Sequence, residues 1–170
     1  MKNSLFGISL RFLLLLAIQI IFFKNLSIGG HASGFVYLWF LLMLPLELSP
    51  LFGLLIGFST GLAVDFFSQT PGIQAGAATL LMFLRPPLLK LLTPRGGYDL
   101  NQSPTFFQLG WPWYLIYSWS LILAHHFLVF TLEIFSGEFI GLIILNSISS
   151  AMLTWVTITT LVLLTAFPKP

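Results

Sequence analysis

The chain has no cysteine, which excludes a disulfide framework, a thiolate nucleophile and a cysteine-ligated metal or cluster. Charge is nearly as scarce. Its 170 residues hold 7 Lys and Arg and 5 Asp and Glu, or 7% charged, where a soluble domain carries roughly 25%. With 57% apolar residues and a mean hydropathy of +0.97, the surface of a water-soluble globule could not be made polar enough. Intrinsic disorder, a coiled coil and nucleic-acid binding are excluded as well, because each needs abundant charge. What the chain does have is long apolar runs, and these assign it to lipid.

A helix needs about 20 apolar residues to cross roughly 30 Å of hydrocarbon. Six segments are candidates, at about 5–23, 35–46, 51–67, 72–92, 111–135 and 139–164. The expected fold is therefore all-α: a polytopic integral membrane protein of six transmembrane helices in one domain, 1–170, with short loops and no strands. The first segment does not read as a cleavable signal peptide, since no small-x-small site follows it and further spans do. The second is short and ends at Pro45 and Glu47-Leu48-Ser49-Pro50. It must borrow from residues 29–34 or be partly re-entrant. Placing the N-terminus inside puts Lys2, Arg11, Arg85, Lys90, Arg95 and Lys169 on the inner side and only Lys24 on the outer. That asymmetry predicts an N-in, C-in topology. Trp111, Trp113 and Tyr114 open the fifth span as an interfacial aromatic belt would, and Pro112 suits a first helical turn.

In the third span Gly53, Gly57, Gly61 and Asp65 recur every four residues and share one face. Such a face lets another backbone come very close. Packing within the chain is preferred here over a face for a partner protein. Asp65 is expensive in a span and should face protein or water; it reads either as a cap on the loop 68–72 or as a partner contact. Gly57-Phe58-Ser59-Thr60-Gly61 spells G-x-S-x-G, and His125-His126 lies in a later span. The hydrolase elbow needs a strand-to-helix turn, however, and Ser59 falls mid-helix. Catalysis is not expected, and hydrogen bonding between helices is the role given to His125 and His126. Adjacent helical residues point about 100° apart, so a shared metal is not expected either. No cofactor is. Arg85 precedes Pro86, which predicts a break or kink there, with residues 88–92 lying along the inner surface and Arg85 serving as a positive-inside anchor. Arg11 shares a face with Leu15 and Gln19, so part of the first helix faces protein. Asn146, Ser150, Thr154 and Thr157 form one stripe in the last span, the usual glue between membrane helices.

The stretch from Gly57 to Gly72, with Gly61-Leu62-Ala63-Val64-Asp65 and the loop Pro71-Gly72, is followed by Ala75-Gly76-Ala77-Ala78 and Arg85-Pro86. This pattern resembles the rod shape-determining MreD family of small bacterial inner-membrane proteins. The likeness is best over 45–92; Arg11, Gln19 and the 117–133 region with its histidine pair are also similar. The resemblance implies a non-enzymatic scaffold of the cell-elongation machinery that binds MreC within the membrane. Through MreC it is linked to a class B penicillin-binding protein, RodA and MreB. It also implies a bundle similar to the substrate-binding S-component of vitamin-uptake transporters, with Gly53, Gly57, Gly61 and Asp65 organising the rim on which MreC docks. An alternative is a vitamin-binding transporter subunit, with Asp65, His125, Glu133 and Asn146 supplying the pocket's polar groups.

Overall fold

The computed structural model describes residues 5–23, 27–28, 30–99 and 102–165. Lys2, Lys24 and Lys169, on which the orientation reading partly rests, lie outside the described residues. The elements in order are α1 (Leu5–Ile18), continued by a π-helical turn Gln19–Phe23, then β1 (Ser27–Ile28), β2 (Ala32–Ser33), α2 (Leu38–Leu42) and α3 (Pro50–Ser68). After these come α4 (Ile73–Leu91), α5 (Phe106–Leu109), α6 (Trp111–Ile134), a 3-10 turn Gly137–Phe139 and α7 (Ile140–Thr165).

The expectation of six membrane-crossing helices is overturned. Among the described residues three helices are long and apolar enough to cross a membrane: Pro50–Ser68, Trp111–Ile134 and Gly137–Thr165. The first candidate span offers only the shorter apolar stretch Leu10–Phe23. The second contains a helix of five residues, α2. The fourth, α4, is 19 residues long, but Gln74, Thr79, Arg85 and Lys90 interrupt its apolar run. Strands were not expected, yet β1 and β2 form a minimal antiparallel pair, with Ser27 opposite Ser33 and Ile28 opposite Ala32. The chain is mostly α-helical, and its three long apolar helices give it the character of a multi-pass membrane protein.

The long helices carry their large apolar side chains outward. On α3, Leu51, Leu55, Phe58, Leu62 and Phe66 are exposed, while Gly53, Gly57, Thr60, Gly61, Val64 and Asp65 are buried. On α7, Ile144, Ile148, Met152 and Val156 are exposed, while Ser147, Ser150 and Thr154 are buried. Small and polar groups face protein and bulky apolar groups face outward, as lipid demands.

The glycine face of α3 meets α4 in antiparallel register. A Cβ at Gly57 would lie 2.8 Å from the Ala78 carbonyl oxygen, and one at Gly61 would fall on the carbonyl of Gln74. At Gly53 it would meet the flexible tip of Met82, at 2.9 Å, and touch Leu48 Cδ2 at 3.7 Å. Contrary to expectation, α4 does not break at Arg85. It runs through Pro86 and Pro87 to Leu91 and closes with the Leu92 N–H on the Leu88 carbonyl. Buried contacts of Arg85 and Leu89 hold a geometry that local preference disfavours, so residues 88–91 continue the helix.

Candidate functional site

Between β2 and α3 the chain passes through the interior. Val36, Tyr37, Leu38, Leu41 and Leu42 are essentially inaccessible, although only residues 38–42 are helical. Tyr37 reaches Gln74 near the start of α4, and the Leu44 and Pro45 carbonyls reach Arg85 near its end. From Phe35 to Leu44 the backbone bonds to itself through short turns and α2, with the N–H groups of Leu38, Trp39, Phe40, Met43 and Leu44 meeting carbonyls three or four residues back, which leaves groups at its two ends to be satisfied from outside. Such backbone is tolerated only where protein satisfies it.

Side chains from four other helical segments do so. The Ser33 N–H donates to Ser150 Oγ at 2.9 Å and the Phe35 N–H to Thr154 Oγ1 at 3.0 Å. Two extended residues rise about 6.6 Å and four helical ones about 6 Å, so the two registers match. Gln19 Nε2 donates to the Gly34 carbonyl at 3.1 Å, and its Oε1 accepts the Tyr37 N–H at 3.4 Å. At the far end α2 exposes its last carbonyls, as every helix does. The Tyr117 hydroxyl donates to Leu42 O at 2.9 Å. Arg85 donates through Nη2 to Leu44 O at 2.6 Å and to Pro45 O at 3.2 Å, and through Nε to Tyr117 Oη at 2.8 Å. A cation at a helix C-terminus is favoured by the helix dipole. Arg85 is 2% exposed and held inside the protein, which corrects its reading as a positive-inside anchor. Lys90 and Arg95 are exposed.

Asp65 caps α4. Its Oδ1 accepts the Thr70 hydroxyl at 2.7 Å and the Gln74 N–H at 3.0 Å, and its Oδ2 accepts the Ala75 N–H at 2.8 Å. Of its two open readings, the geometry gives the cap. Pro71 and Gly72 form the exposed corner; Gly72 has φ +86° and is the N-cap of α4, with no side chain to offer. The preceding carboxylate does that work instead. From Gln74 the polar contacts continue inward: Tyr37 Oη donates to Gln74 Oε1 at 3.1 Å and lies 2.7 Å from His125 Nε2. His125 Nδ1 is buried without a partner among the described residues, as is Trp39 Nε1.

His126 Nδ1 lies 2.7 Å from the Ile122 carbonyl, which only accepts, so this nitrogen donates. Its Nε2 is then free to accept the Thr154 hydroxyl at 3.1 Å. The two adjacent histidines thus diverge toward α2 and α7. Ser59 is exposed on the unbroken α3. It lines an apolar groove of about 330 Å³ with Phe12, Phe40, Phe52, Leu55, Ile56 and Thr60. Neither histidine is bonded to it. Among the described residues no group of three or more metal-ligating side chains occurs.

The groups expected to converge on a vitamin pocket are dispersed: Asn146 lies 3.0 Å from His31 Nδ1, Asp65 caps α4, His125 meets Tyr37 and Glu133 is exposed. The sequence reading missed Tyr37, Gln74 and Tyr117. Tyr117 shares a helical face with Leu121 and His125, and that spacing was a signal within reach. The chain matches no protein-family model, no curated protein and no solved structure.

Proposed function

We propose that this chain is a non-enzymatic membrane scaffold of the bacterial cell-elongation machinery, residing in the inner membrane and binding MreC there, as its resemblance to the MreD family implies. The observation that supports the reading is what the resembling residues do. Gly57 and Gly61 admit α4, Asp65 caps it, Gly72 turns the corner before it, and Arg85 clamps the crossing segment. The distinctive residues serve the architecture of the bundle, as those of a scaffold should.

With the glycine face filled by α4, the MreC span meets an outward apolar face, such as that of Phe58 and Leu62 on α3 or Ile148 and Met152 on α7. The class B penicillin-binding protein, RodA and MreB are then reached through MreC. The test is co-purification of MreC in mild detergent, with photo-crosslinking side chains placed at Phe58 and at Met152. MreC should co-purify and crosslink from one of these faces. Its absence from the purified material, with no crosslink at either position, would overturn the reading. So would labelling by a fluorophosphonate that Ser59→Ala abolishes.

A further inference from the structure

Arg85 is a buried cation whose hydrogen bonds all go to neutral oxygens: Tyr117 Oη and the carbonyls of Leu44 and Pro45. A carboxylate binds a guanidinium roughly twice as strongly as a neutral acceptor does. One lies close by in the chain. Residues 45–48 form a turn closed by the Leu48 N–H on the Pro45 carbonyl at 3.2 Å, so that carbonyl serves both Leu48 and Arg85. Glu47 sits in this turn, exposed and without a hydrogen-bond partner among the described residues. A polar cavity of about 60 Å³ adjoins the turn, lined by Met43, Pro45, Leu46, Glu47, Asp99 and Gln102 among others. The turn therefore has space beside it. Its longest bond to Arg85, at 3.2 Å from Pro45, is the one a small roll would break.

We infer that Arg85 and the 45–48 turn form a latch with two settings. In the setting seen here Arg85 holds the Leu44 and Pro45 carbonyls. In the other the turn rolls, the Glu47 carboxylate replaces both carbonyls on Nη2, and residues 44–48 are released from Arg85 while Tyr117 keeps the Leu42 carbonyl. The inference stands apart from the identity of any partner, because it concerns only contacts within this chain.

Hydrogen exchange on the purified full chain in detergent tests it. If Glu47 competes for Arg85, Glu47→Gln removes the competitor, and the hydrogen-bonded amides of Leu44 and Leu48 exchange at least threefold more slowly. Glu47 is exposed, so this variant should fold as the parent does. Asp99→Asn, which alters the other carboxylate on the cavity, should leave those amides unchanged. Unchanged or faster exchange in Glu47→Gln overturns the latch, because a static clamp takes no notice of Glu47. Equal slowing by Asp99→Asn overturns it too, since a general loss of negative charge would then explain the effect. In an Arg85→Gln background the Glu47→Gln effect should vanish, and its persistence would count against Arg85 as the shared partner.

Discussion

The Oδ2 of Asp65 accepts the Ala75 N–H at 2.8 Å, so a residue in the last turn of α3 caps the first turn of α4. The first N–H groups of a helix have no partner within it, and here Asp65, Gln74 and Ala75 are buried, so water does not replace the carboxylate. Asp65→Ala strips Thr70, Gln74 and Ala75 of their acceptor together. With a cap worth about 0.5–2 kcal/mol and a buried unpaired donor costing about 1–3, a loss near 3 kcal/mol is expected. Asp65→Asn keeps one acceptor oxygen and should fall between the two. Thermal unfolding in detergent, followed by circular dichroism, checks the order Asp, Asn, Ala.

Glycines of α3 and α4 separate close approach from mere absence of a side chain. Gly57→Leu drives a side chain into the Ala78 carbonyl and should part α3 from α4, with a loss of several kcal/mol as in other overpacked cores. Gly76→Ala is the control. A Cβ there meets nothing within 4 Å, and the change should be neutral or stabilising by up to about 1 kcal/mol through helix propensity. Unfolding midpoints of the two variants should move in opposite directions, or only the first should move.

These cases show what the sequence could and could not reveal. The long helices were legible: 51–67, 111–135 and 139–164 were expected, and Pro50–Ser68, Trp111–Ile134 and Ile140–Thr165 are found, because continuous apolar runs end at Pro, Gly or polar turns. The glycine face was legible from its spacing of four. The crossing segment was not, because its shape is set by partners far away in sequence: Tyr117 is 75 residues from Leu42 and Thr154 is 119 from Phe35. Arg85 misled for the same reason. A positive charge after an apolar run reads as a positive-inside anchor, and the carbonyls beyond α2 together with the Tyr117 hydroxyl explain its burial.

Tyr117 connects Arg85 to the end of α2, and removing its hydroxyl separates hydrogen bonding from packing. Tyr117→Phe keeps the ring, which stacks on Trp113 with centroids 4.7 Å apart. It leaves both the Leu42 carbonyl and Arg85 Nε without their partner. Two buried groups unpaired at about 1–3 kcal/mol each predict a loss of roughly 3 kcal/mol in unfolding free energy. Tyr98→Phe serves as a comparison. Its hydroxyl donates to Leu89 O at 2.8 Å from a partly buried position, where water can replace it, so its loss should be about 1 kcal/mol or less.

The hydroxyl stripe of α7 allows the sharpest comparison, because its members look alike in sequence and differ in what they hold. Thr154 accepts the Phe35 N–H and donates to His126, tying the crossing segment to α6 through one oxygen. Among the described residues Thr157, one turn on, bonds only to the Leu153 carbonyl of its own helix, a bond that contributes little because that carbonyl already serves the helix. Thr154→Val, close to isosteric, therefore leaves a buried N–H and a ring nitrogen bare. A loss of about 2–4 kcal/mol is expected, with faster hydrogen exchange at the Phe35 amide. Thr157→Val should change stability by less than about 0.5 kcal/mol and leave that amide as it was. Equal effects from the two threonines would mean that the crossing is held by packing alone and that its side-chain hydrogen bonds are incidental.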